Sequence, residues 1–81
     1  MNLDLITEFL VKSVVKNKEM VSVKQYEEDD LITIEVLASK DDMPSLIGKQ
    51  GVIAQSIRTL VIAAACTNEN HKKIKINFNS I

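Results

Sequence analysis

The sequence predicts a two-layer α+β fold: a three-stranded mixed sheet with helices packed on one face. Two segments repeat apolar residues at helical spacing, three alternate apolar and polar residues, and a proline followed by two glycines divides the helical part of the second half. With 81 residues, the chain has room for one domain, residues 1–81, without linker, repeat or low-complexity stretch.

Leu3, Ile6, Leu10 and Val14, with Leu5 and Phe9 beside them, predict a helix over about residues 3–16. Asn2 can cap its start, Lys16 and Lys18 suit its negative end, and Asn17 is placed for a left-handed stop. Val21 and Val23 then alternate with Ser22 and Lys24 as a strand, and Glu27 to Asp30 make a polar turn. Over residues 31–38, Ile32, Ile34 and Val36 share one face and Thr33 and Glu35 the other, so the two strands should form an antiparallel hairpin. Asp41 and Asp42 before Met43-Pro44 signal a helix start, which Gly48 interrupts after little more than a turn. A longer helix follows from about Val52 to Thr67, with Ile53, Ile57, Leu60 and Ala64 as its core line and Asn68 and Asn70 as its stop. Ile74, Ile76 and Phe78 alternate with Lys75 and Asn77 as the last strand. Two helices link this strand to residues 31–38, which suits a right-handed parallel crossover. The resulting order is α-β-β-α-α-β.

Composition narrows the function classes. One cysteine, Cys66, rules out an intrachain disulfide and fits a reducing compartment. No apolar run approaches the roughly 20 residues of a membrane span, and the acidic start lacks the basic region of a signal peptide, so a cytoplasmic protein is expected. Neither a metal set nor a nucleophile with base and orienter is grouped in the sequence; no enzyme, cofactor or small-molecule substrate is expected. Glu27 to Asp30 lacks the spacing of a calcium loop, and His71 has no partner for catalysis. The net charge of −1 is unevenly distributed: residues 1–42 carry ten acids and five lysines, whereas residues 43–81 carry Glu69 against Lys49, Arg58, Lys72, Lys73 and Lys75. That polarity can place a positive surface on a nearly neutral protein.

The chemistry lies in Gly48-Lys49-Gln50-Gly51, between the two later helices. Glycines let the backbone turn sharply and let a ligand approach it, and the amides that open the long helix are expected as free donors for a phosphate. Lys49 adds a full charge at the tip. Neither a P-loop nor a dinucleotide fingerprint is present, since the first needs Gly-x-x-x-x-Gly-Lys-Ser/Thr and the second a third glycine directly after a strand. An RNA-recognition sheet would carry its aromatic signature on the strands, and Tyr26 and Phe78 do not form it.

Leu46-Ile47-Gly48-Lys49-Gln50-Gly51, followed by Ala54, Ile57-Arg58-Thr59-Leu60-Val61 and Ala65, resembles the GxxG segment of KH domains. The order of elements resembles the type II KH fold, and the likeness to the small bacterial single-KH family of the KhpA kind covers nearly the whole chain. The resemblance implies a cytoplasmic protein that binds single-stranded RNA and serves as an RNA chaperone or post-transcriptional regulator. It also implies self-association, or pairing with a second KH protein of the KhpB (Jag) kind, and links to cell shape and cell-wall synthesis. The residues expected to bind RNA are Ile47, Gly48, Lys49, Gln50, Gly51 and Arg58. Two positions depart from the family pattern: Val52 stands where arginine is frequent, and Met43-Pro44 where a small residue is common. Loss of a charge beside the phosphate site implies weak, salt-sensitive binding. A protein-interaction subunit with a weakened nucleic-acid site is the alternative.

From Leu60 to Cys66 the long helix is apolar on every side, whereas a two-layer fold of this size covers only one. Thr59, Ile62, Ala63 and Cys66 fall away from the core line, and a two-fold dimer interface is expected there. Lys72, Lys73 and Lys75 are read as a solvated edge that discourages strand pairing.

Overall fold

The structure, a computed structural model, describes residues 3–66 and 73–81, and the side chains of all of these but Cys66. Helix α1 (Leu3–Lys12) leads through a 3₁₀ turn at Lys18–Met20 to strands β1 (Ser22–Glu27) and β2 (Leu31–Ala38). A second 3₁₀ turn (Lys40–Asp42), helix α2 (Met43–Ile47), a third 3₁₀ turn (Lys49–Gly51), helix α3 (Val52–Cys66) and strand β3 (Lys73–Ser80) follow. This is the expected α+β arrangement in the α-β-β-α-α-β order, a type II KH-like fold. Asn68, Asn70, His71 and Lys72 lie outside the described residues.

The sheet order is β1-β2-β3, with β1 antiparallel to β2 and β3 parallel to it. Strict alternation along β2 buries Ile32, Ile34, Val36 and Ala38 and leaves Leu31, Thr33, Glu35 and Leu37 half-buried on the other face. The buried face meets all three helices in one cluster: Leu3, Val11 and Val15, then Leu46, then Ile57, Val61 and Ala65. The helices therefore sit on one side of the sheet, and its other side is open.

Two helices bury stripes displaced from those expected. In α1 the buried residues are Leu3, Thr7 and Val11, whereas Ile6 and Leu10 are half-buried. Thr7 is tolerated because its hydroxyl donates to the Leu3 carbonyl at 2.8 Å. In α3 the stripe is Ala54, Ile57, Val61 and Ala65, and Leu60 is 54% exposed instead of lying on the core line. Leu60 is the neighbour of Val61 along the chain, about 100° around the helix from it, and faces outward when Val61 faces in.

A parallel β2–β3 pair requires its connection to travel back along the sheet. α3 makes that return, so the residues before it, 48–51, lie at the C-terminal end of the strands. The acidic β1–β2 connection lies at the other end, about 25 Å away along an eight-residue strand. That separation exceeds the Debye length of about 8 Å at physiological salt, so the four acids of that connection, Glu27 to Asp30, act weakly at the loop.

Candidate nucleic-acid interface

α2 places the loop. Pro44 sits in its first turn, where the missing N–H costs nothing, and the Gly48 amide donates to the Pro44 carbonyl at 2.9 Å, closing the helix. Its start is held by Asp42, which does not cap α2 with its side chain. The carboxylate instead accepts from the amides of Lys16 and Asn17, both at 3.0 Å, and from the Ser39 hydroxyl at 2.9 Å. Those bonds, the Lys16 amide foremost, hold the Asp42 carboxyl below the usual aspartate range. α1 ends at Lys12 instead of about residue 16: the Val14 amide tightens onto the Val11 carbonyl at 3.0 Å, the Lys16 and Asn17 amides turn to Asp42, and Asn17 has φ −93° instead of a left-handed conformation.

The two glycines do different work. Gly48 has φ +79° and ψ 173°, a region open in practice to glycine alone. A Cβ there would stand within 2.4 Å of Ile53 Cγ1 and 2.9 Å of the Ile53 amide nitrogen, so the loop lies against the first turn of α3. Gly51 has φ +78°, yet a Cβ at that position would meet nothing within 4 Å. Gly48 is needed by the protein's own packing, while Gly51 faces open space.

Between them Gln50 is also left-handed, with φ 57° and ψ 24°, although it carries a side chain. No local signal in the sequence marks it. The backbone bonds also correct one expectation. The Gly51 amide donates to the Gly48 carbonyl at 3.1 Å and the Val52 amide to the Lys49 carbonyl, so these two groups at the opening of α3 are already engaged. Among the described residues, the amides of Lys49 and Gln50 find no acceptor, and they are the donors that remain available. The Lys49 and Gln50 side chains are exposed, and Ile47 is half-buried beside them. Two unpaired amides, an ammonium group and an uncovered glycine can together hold an anionic oxygen.

Arg58 is placed apart from the loop tip. Its guanidinium carbon lies 5.1 Å from the centroid of the Phe78 ring, and Nε donates over 3.5 Å to the Ile76 carbonyl. It therefore ties α3 to β3. Val52, where the sequence lacks a charge, is 57% exposed at the start of α3. Thr59, Ile62 and Ala63 are exposed on the outer side of α3, and the side chain of Cys66 lies outside the described residues.

Residues 4–78 match the family of KhpA/KhpB KH domains. The chain belongs to that family. This KH protein is 43% identical over 67 residues to the RNA-binding protein KhpA of Listeria monocytogenes serovar 1/2a, covering 83% of this chain and 86% of the relative. It is 42% identical over 69 residues to the RNA-binding protein KhpA of Clostridium perfringens, covering 85% and 91%. The RNA-binding protein KhpA of Borreliella burgdorferi is 31% identical over 71 residues, covering 88% and 84%. No helix among the described residues of the KH protein is long and apolar enough to cross a membrane.

Proposed function

We propose that this KH protein binds single-stranded RNA, gripping its backbone with Gly48-Lys49-Gln50-Gly51 while apolar surface bordered by Ile47 receives bases. The observation that carries this reading is the pair of unpartnered amides at Lys49 and Gln50 beside an uncovered Gly51. Relatives similar over most of their length are RNA-binding proteins by name, which supports it. Lys49 supplies the charge. Arg58, held over Phe78, contributes by fixing the α3–β3 side of the site and presenting its outer edge to RNA. The protein acts in the cytoplasm as an RNA chaperone, not an enzyme, and its links to cell shape and cell-wall synthesis rest on family resemblance alone. Residues 1–81 form one such domain.

The same reading includes a two-fold dimer along the outer side of α3, with Thr59, Ile62, Ala63 and Cys66 at its centre, or the same surface paired with a KhpB-like KH protein. Ile62, 42% exposed, and the small Ala63 form the kind of apolar, closely approachable surface that helix pairs use. Ile62→Asp should convert the protein to monomers in sedimentation velocity. An unchanged coefficient, or a wild type that is monomeric at high concentration, would remove the dimer.

A second reading, an interaction subunit with a weakened nucleic-acid site, is favoured by the exposed Val52. Titration of labelled single-stranded RNA at low and moderate salt separates the two. The double variant Lys49→Asp, Gln50→Asp should bind at least about tenfold more weakly than wild type, since each phosphate contact and its counterion release are lost. Circular dichroism should remain unchanged. Equal binding by both proteins would leave the interaction subunit as the function.

A further inference from the structure

We propose that the open face of the sheet is a second contact surface for single-stranded RNA, in which Tyr26 stacks a base and Lys24, Lys73 and Lys75 neutralise phosphates. The inference rests on the loop reading for the identity of the ligand.

The register assembles this surface from distant parts of the chain. Tyr26 pairs with Thr33, and Thr33 with Lys75, so the three form one row across the sheet. Lys24, Glu35 and Asn77 form the next row, and Lys73 stands beside Leu31. Strand alternation sets all of them on the face opposite Ile32, Ile34 and Val36. Tyr26 is 51% exposed there, and the three lysines are exposed.

Charge selects the ligand. Two carboxylates lie in these rows: Glu35, which accepts from the side-chain amides of Asn77 at 3.1 Å and Asn79 at 3.4 Å, and the exposed Glu28, whose amide donates to the Leu31 carbonyl at 2.8 Å beside Lys73. Among the described residues, none of the three lysines has a carboxylate within 4.0 Å; the Glu8–Lys12 pair on α1 is the ion pair present. A flat aromatic ring flanked by unpaired ammonium groups matches a polyanion that offers unstacked bases, which is single-stranded nucleic acid. Position supports continuity with the loop site. β3 is an edge strand, with Ile76 and Phe78 meeting α3 and Arg58 on one face and Lys75 and Asn77 on the other. A chain leaving the helix side therefore passes over the β3 edge to reach Lys75 and must then cross β3 and β2, about 10 Å, to reach Tyr26 on the opposite edge strand.

The test uses the protein's own fluorescence, because Tyr26 is its sole tyrosine and there is no tryptophan. The intact chain is titrated with an RNA of about four nucleotides, which a KH loop can hold alone. It is then titrated with one of about twelve, which can also reach the sheet. After correction for absorption by RNA, the longer strand should quench tyrosine emission and the shorter should not. The double variant Tyr26→Ala, Lys75→Ala should bind the longer RNA about tenfold more weakly and the shorter unchanged. Unquenched emission with the longer RNA, unchanged affinity in the variant, or equal losses for both lengths would each overturn the proposal. If the longer strand binds and quenches while the shorter does not bind, the sheet site stands and the loop reading falls. Failure of wild type to bind either RNA sinks both.

Discussion

Replacing Gly48 with alanine should destabilise the protein by about 3 kcal/mol or more and abolish RNA binding with it. Two costs combine. A residue with a side chain held at φ +79° and ψ 173° carries roughly 1–3 kcal/mol of backbone strain. The new methyl would also come within 2.4 Å of Ile53 Cγ1 and 2.9 Å of the Ile53 amide nitrogen, and overpacking of this kind costs about 1–3 kcal/mol. Rotating the Ile53 side chain relieves the first contact but not the second, which is backbone. Against a total stability on the order of 4–12 kcal/mol for 81 residues, the loss is a large fraction. Gly51→Ala provides the contrast. Its methyl meets nothing, so the cost is the left-handed φ alone, about 1–2 kcal/mol. That variant should remain folded and still bind RNA more weakly, because the methyl occupies the space a phosphate would enter. Urea unfolding of the two variants beside RNA titration checks both statements. Equal stability losses at the two glycines would refute the division of labour between them.

Strand positions were readable in this sequence because burial on one face of a sheet imposes alternation, and β2 alternates without a break from Leu31 to Ala38. The two glycines and Pro44 located α2 and the loop for a similar reason, since each enforces a backbone geometry by itself. What stayed hidden depends on partners distant in sequence. α1 ends at Lys12, where the Val14 amide tightens onto Val11, and the amides of Lys16 and Asn17 that could have carried it on are taken by Asp42, some 25 positions away. Apolar spacing alone continues the helix to residue 16. Leu60 fits a helical stripe as well as Val61 does, and the choice between them, which buries Val61 with Ala54 and Ala65, is made by the packing of α3 on residues distant in sequence. In the loop, a left-handed Gln50 carries no signature, because glutamine has no preference for that region. The engaged amides of Gly51 and Val52 follow from the 3₁₀ turn that Gln50 helps to make. The sequence thus located the candidate site and its residue types, whereas which amides remain available became clear only from the fold.

Leu46→Ala tests whether the loop depends on the core beneath it, and should cost about 2–5 kcal/mol. Leu46 is fully buried among the residues that join the helices to the sheet. A helix of five residues has no stability of its own, so α2 exists because this side chain fixes it. Truncation leaves a cavity that the neighbouring sheet residues, already at native density, do not fill. The urea midpoint should fall with the slope m unchanged, as expected for lost stability in an otherwise intact fold. RNA affinity should fall as well, because Gly48 closes α2 through Pro44 and a loosened α2 no longer presents the Lys49 and Gln50 amides in one direction. Ile47→Ala separates the two effects: its half-buried side chain borders the loop, so stability should drop by roughly 1 kcal/mol while affinity still declines. If Leu46→Ala unfolded at the wild-type urea concentration, α2 would have to be held by its own turn and the loop would be a local structure. A full loss of stability without loss of affinity in the folded fraction would show that the glycine bend keeps its shape when the helix before it is loosened.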